Sequence, residues 1–236
     1  MTKGKTLILL CILCFSSFIV KAQEKEKQSE AWFLLLNHYK INEKWSIGNE
    51  VHWRQTNFLK DKSQLILRPF VNYNISKSVI GTVGYSYLLN YSDTNELTDV
   101  NQPEHNVWEQ ITLKHGDGKL KFAHRYRLEH RFRGVYNVEL TEIEEYKFTN
   151  RARYRLTVKH PIGQKYFVQA FNELWFNLGE NFDNIDFDRN WLYLGLGRKV
   201  FENGNIQLAY VHQYIKKNAD LYFIRPTVQM TIQYDF

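Results

Sequence analysis

Cysteine is almost missing from this 236-residue chain: there are two, Cys11 and Cys14, both within the first 22 residues. Their C-x-x-C spacing falls in an apolar run and does not make a redox motif. The rest of the chain has no cysteine, which excludes a disulfide scaffold and a thiolate nucleophile. Proline is scarce, at four residues against an aromatic content of 16%, and that combination excludes a disordered or collagen-like chain. Past the first 22 residues no segment stays apolar for ~18 positions, so no transmembrane helix is expected.

Residues 1–22 read as a cleaved signal peptide. Lys3 and Lys5 form a positive start, Leu7 to Val20 an apolar stretch, and Val20-Lys21-Ala22 a small-residue cleavage site, leaving 23–29 as a short polar lead-in. Removing Lys3, Lys5 and Lys21 lowers the formal charge from +6 to +3. A weakly basic, exported protein is not expected to bind nucleic acid.

What the remaining sequence contains is two-residue alternation from end to end. Trp45, Ile47, Val51 and Trp53 alternate with Ser46, Gly48, Glu50, His52 and Arg54. Leu120, Phe122, Tyr126, Leu128 and Phe132 alternate with Lys121, Arg125, Arg127, Glu129 and Arg131. Ala152, Tyr154, Leu156 and Val158 alternate with Arg153, Arg155 and Thr157, and the last stretch repeats the pattern from Ile224 to Phe236. Such dyads suit either a soluble antiparallel sandwich or a membrane barrel whose apolar face meets lipid.

Three features favour the barrel over residues 30–236. Connections near 41–44, 76–78, 116–119, 160–164 and 201–204 are tight, whereas 56–63, 92–104, 134–146 and 178–188 are longer, as in outer-membrane barrels with short periplasmic turns and longer external loops. Aromatic residues such as Trp32, Trp45, Trp53, Tyr73, Tyr85, Phe132 and Tyr166 crowd the strand ends, which suits interfacial girdles. The chain also stops within an alternating strand, and Tyr234 and Phe236 form the kind of terminal signal read by the barrel-assembly machinery. Eleven strands can be counted, at about 30–40, 45–55, 64–75, 79–91, 105–115, 119–132, 147–159, 165–177, 189–200, 205–215 and 222–236. Single-chain bacterial barrels have even counts. The expectation is therefore an all-antiparallel transmembrane barrel of ten or twelve strands, with twelve favoured and a further strand sought in 134–146.

These features carry a resemblance. Trp32, the strands around Trp45 to Arg54, the segments His124 to Phe132 and Asn150 to Arg155, the Asn172-Glu173 pair, Asp188-Arg189-Asn190 and the terminal Phe236 resemble the bacterial family known as domain of unknown function 2490. The resemblance spans nearly all of the chain after the leader. It implies an outer-membrane barrel and carries no activity with it.

If the apolar faces point outward, Arg68, Arg125, Arg127, Arg131, Arg151, Arg153 and Arg155 line the lumen together with Glu50, Glu129 and Glu173. Facing lipid at mid-depth would cost a charged side chain ~2–4 kcal/mol, which makes this assignment firmer than the strand ends. The cluster reads either as a salt-bridge network filling a narrow barrel or as a basic constriction that attracts anions. Acidic residues gather elsewhere: 92–104, 134–146 and 178–188 hold twelve carboxylates and no lysine or arginine. Among them Asp183, Asp186 and Asp188 offer a weak Ca²⁺ pattern, without the glycine of an EF-hand loop. His124 and His130 lie on the outward face with no serine nucleophile motif beside them. The expected protein is a non-enzymatic outer-membrane barrel of a Gram-negative-type envelope, in contact with outer-membrane lipid, acting as a small anion-leaning pore or a structural component. An outer-leaflet lipid-modifying enzyme and a loop-mediated adhesin are the alternatives.

Overall fold

A computed structural model describes residues 29–92, 98–218 and 221–236. The expected leader, residues 23–28, and the loop carboxylates Asp93 and Glu96 lie outside the described residues.

The alternating segments form eleven strands, in order β1 (Glu30–Lys40), β2 (Trp45–Thr56), β3 (Asp61–Asn74), β4 (Val79–Asn90), β5 (Gln102–His115), β6 (Lys121–Tyr136), β7 (Ile143–Ile162), β8 (Tyr166–Gly179), β9 (Asp186–Phe201), β10 (Gly204–Lys216) and β11 (Tyr222–Asp235). Each pairs with its sequence neighbour, and β1 meets β11 to close the barrel. The expected count of ten or twelve is therefore corrected to eleven, and the all-antiparallel expectation to a mixed sheet. An up-and-down chain with an odd number of strands brings its first and last strands together in the same direction. Accordingly β1 and β11 pair in parallel, from Glu30 opposite Thr227 to His38 opposite Asp235. No strand hides in 134–146: β6 runs through Tyr136, a turn covers 137–142, and β7 begins at Ile143.

The connections also correct the sequence reading. The segment 56–63 is not a long loop: Thr56 pairs with Asp61 across a tight turn whose Asn57, Phe58 and Leu59 all have positive φ. β5 starts at Gln102 and β9 at Asp186, so Glu104 and Asp188 belong to strands and not to acidic loops. On the opposite rim, Asn42 Oδ1 accepts hydrogen bonds from the backbone N–H groups of Lys44 and Trp45 at 2.9 Å each, a side-chain-capped turn that sets the β1–β2 register.

Side chains alternate between a filled interior and an apolar exterior. The interior holds an aromatic cluster of Trp32, Phe171, Trp175, Trp191 and Tyr193, joined by Ala209 and Val211. Trp32 is thus an inward residue at 3% exposure and not part of an outer aromatic girdle. Two glycines make room for rings that lie flat on the wall. A Cβ on Gly84 would come within 2.3 Å of the Trp108 ring, and one on Gly197 within 2.1 Å of the Phe167 ring. The exterior exposes Phe33 and Leu35 of β1, Leu192, Leu194 and Leu196 of β9, Leu208 of β10, and Val228, Met230 and Ile232 of β11.

Candidate functional site: an arginine-lined bore

Strands β6 and β7 set the charged wall. Their register puts Arg125 opposite Arg155 and Arg127 opposite Arg153, an arrangement that alone is repulsive. Two carboxylates resolve it. Glu129, directly opposite Arg151, accepts from Arg151 Nε at 2.8 Å and from Arg153 Nη1 at 2.6 Å. Glu173 of β8, opposite Arg155, accepts from Arg155 Nε at 3.0 Å, from Arg153 Nε at 2.9 Å and from Arg125 Nη2. Arg127 reaches Glu129 only at 3.8 Å and places its Nε on Gln110 Oε1 at 2.9 Å. Both carboxylates are sealed from solvent, Glu129 at 1% and Glu173 at 0% exposure.

Three further inward arginines are matched one to one. Arg68 donates to Glu50 at 2.7 Å, with His52 Nε2 3.0 Å from the same carboxylate oxygen. Arg131 grips Glu104 through two bonds of 2.8 Å. Arg189 holds Asp188 at 2.9 Å. Arg54 has no carboxylate hydrogen-bonded to it: its Nη1 donates to Gln64 Oε1 at 2.8 Å and its guanidinium lies 3.9 Å from the Trp32 ring centre. Arg68, Arg125, Arg127, Arg131, Arg151, Arg153 and Arg155 with Glu50, Glu129 and Glu173 lie on the inner wall, whereas Lys121, of the same alternating face as Arg125, is exposed at the turn rim and bonds the Gly116 carbonyl.

Sequence reasoning missed the platforms under this network. Arg127 stacks on Trp108 at 3.9 Å, Arg153 on Trp175 at 3.5 Å and Arg155 on Phe171 at 4.0 Å. Such contacts contribute ~2 kcal/mol or more when desolvated. The parity of the strands carried the signal, because Trp108 shares the face of Glu104 and Trp175 that of Glu173.

Buried side chains crowd the bore at this level. Every strand contributes a buried inward residue to a nearly continuous run of cross-strand neighbours: Trp32, His52, Ile66, Ser86, Trp108, Glu129, Arg153, Glu173, Tyr193, Val211 and Thr227. A cavity of about 400 Å³ reaches through this belt: its wall takes in Trp32, His52 and Arg153 of the belt itself, Arg54, Arg131, Arg133 and Arg151 toward the long connections, and Arg125 and Phe171 toward the short turns.

The remaining candidates separate. Asp188 is held by Arg189 and Asp186 by Lys216 at 2.5 Å, and no group of three or more His, Cys, Asp or Glu able to hold a metal occurs among the described residues. His124 sits between His115 and Tyr154, and His130 between Asn150 and Glu109, so neither ring hydrogen-bonds a serine or threonine hydroxyl. Tyr234 pairs with Gly204 near the end of β11, and Phe236, just past the strand at the short-turn rim, is 65% exposed.

The profile of the family described as "protein of unknown function (DUF2490)" matches residues 29–223, most of the chain. No curated protein and no solved structure matches significantly. The chain belongs to the DUF2490 family.

Proposed function

We propose that this protein is an outer-membrane β-barrel of the bacterial envelope whose bore is closed, a structural component and not an open pore. The observation that carries the reading is the division of the sheet: buried inward side chains from all eleven strands against an exterior that exposes Leu, Val, Ile and aromatic side chains. Soluble monomers rarely expose contiguous apolar patches beyond a few hundred Å². The strands are 11 to 20 residues long, enough for the ~9–11 that cross a bilayer. Glu109, an outward carboxylate of β5, is answered by His130 at 3.3 Å. Tyr234 and Phe236, aromatic residues on one face at the end of β11, suit recognition of that strand by the assembly machinery.

The test is joint. Heat-modifiable gel migration of membrane-extracted protein is expected, together with a loss of membrane yield when Phe236 is deleted. In planar bilayers the folded protein is expected to pass no steady current. Recovery as a soluble periplasmic protein would refute the membrane placement, and a steady anion current would refute the closed bore.

A further inference from the structure

The interior holds more positive charge than it neutralises. Five guanidiniums, those of Arg125, Arg127, Arg151, Arg153 and Arg155, converge on the two carboxylates Glu129 and Glu173. Arg54 adds a further cation whose hydrogen bond goes to the neutral Gln64. The surrounding pairs, Arg68 with Glu50, Arg131 with Glu104 and Arg189 with Asp188, are each neutral and offer nothing to spare. A charge withdrawn from water without a counterion is costly, and arginine cannot escape by losing its proton. Four positive charges on one inner wall therefore call for an anion from outside the chain.

A space for one is present. The cavity of about 400 Å³ has Arg54, Arg125, Arg151 and Arg155 in its wall, with the amides of Asn90 and Gln102 nearby. Two of these arginines, Arg54 and Arg125, keep a buried Nε that hydrogen-bonds to nothing in the protein. Arg133, exposed at the rim of the long connections, marks the entrance.

We propose that this cavity binds a small polyvalent oxyanion, a molecule bearing two or more phosphate or carboxylate groups. Guanidinium forks match the paired oxygens of either group, and the volume lies at the small end of ordinary ligand pockets, ~300–1,000 Å³. Polyvalency follows from the surplus, which a single monoanion would leave mostly unanswered. The proposal deepens the closed-bore reading, on which retention of the ligand rests.

Calorimetric titration of the purified, folded protein with pyrophosphate, citrate and chloride, at matched ionic strength, tests it. Saturable one-to-one binding is expected for pyrophosphate or citrate, at least about tenfold tighter than for chloride, and Arg54→Gln is expected to weaken it by about tenfold. The two polyanions separate a phosphate-bearing ligand from a carboxylate-bearing one. Absence of saturable binding by both, affinity no better than that of chloride, or unchanged affinity in Arg54→Gln overturns the site. Should Arg54→Gln fail to fold, Arg133→Gln at the exposed rim takes its place, with a weakening of several-fold expected, and unchanged affinity there overturns the site equally. A steady bilayer current with binding intact would remove the closed bore and leave the anion site standing.

Discussion

Two walls of the same bore are built on different physics. From β6 to β8 the interior is ionic, with Arg151, Arg153 and Arg155 bound to Glu129 and Glu173 by charge-assisted hydrogen bonds across three strands. From β9 to β11 the mid-wall is neutral: Tyr193, Gln207, Ala209, Val211, Gln213, Thr227 and Thr231 are all buried. Polar atoms there bond in small local sets, as Tyr193 to Gln207 and Gln213 to Thr227. Both walls exclude water, but the first depends on every member of a network and the second on local fit. The long arginines also need volume, which Ala209 and the slots at Gly195 and Gly197 help to leave for the rings that pack between the walls.

That difference is broken most directly at Glu173. Glu173→Gln keeps the shape but removes the charge shared by Arg125, Arg153 and Arg155. Leaving buried cations unpaired costs about 3–5 kcal/mol. Urea unfolding of the folded protein should register a loss of that size, and one below about 1 kcal/mol would mean that water or a bound ion already screens the wall. On the neutral side the largest effect is steric. Gly197→Ala drives a methyl into the Phe167 ring, and overpacking of this kind costs about 1–3 kcal/mol. A stability equal to that of the parent would show that the ring can swing aside.

The same contrast explains what the sequence made legible. Alternation placed the arginines inside, because a charge on an otherwise apolar face is expensive and Arg125, Arg127 and Arg131 share one parity. It also located the eleven strands to within a few residues. The even-count rule then outweighed that count wrongly, since parallel closure of β1 on β11 leaves no trace in either strand's own pattern. Trp32 was misplaced for a related reason: a tryptophan near a strand end suits both a girdle and a core, and only its partners Glu30 and Arg54 decide between them. Glu104 and Asp188 looked like loop carboxylates because acidic neighbours surround them. Strand pairing showed that they belong to the interior, where each meets an arginine. Which carboxylate answers which arginine is a matter of cross-strand register, and periodicity along one strand does not contain it.

The smallest expected effect sharpens the comparison most. Thr231→Val on the neutral wall removes the hydroxyl that accepts from Gln229 Nε2 at 2.9 Å while keeping the shape, a change of about 0.5–1.5 kcal/mol. Gln213→Leu removes bonds to Thr227 and Glu30 in the same wall, and the two sites share no partner. Their register positions, Thr231 opposite Gln207 and Gln213 opposite Arg225, place them roughly 20 Å apart along the strands. The double variant should therefore equal the sum of the single ones within about 0.3–0.5 kcal/mol. Glu129→Gln and Glu173→Gln share Arg153, so their combination should depart from additivity by about 0.5–3 kcal/mol. Coupling of equal size in both walls would mean that the interior is one cooperative polar network, and that the division into an ionic and a neutral side has no energetic content.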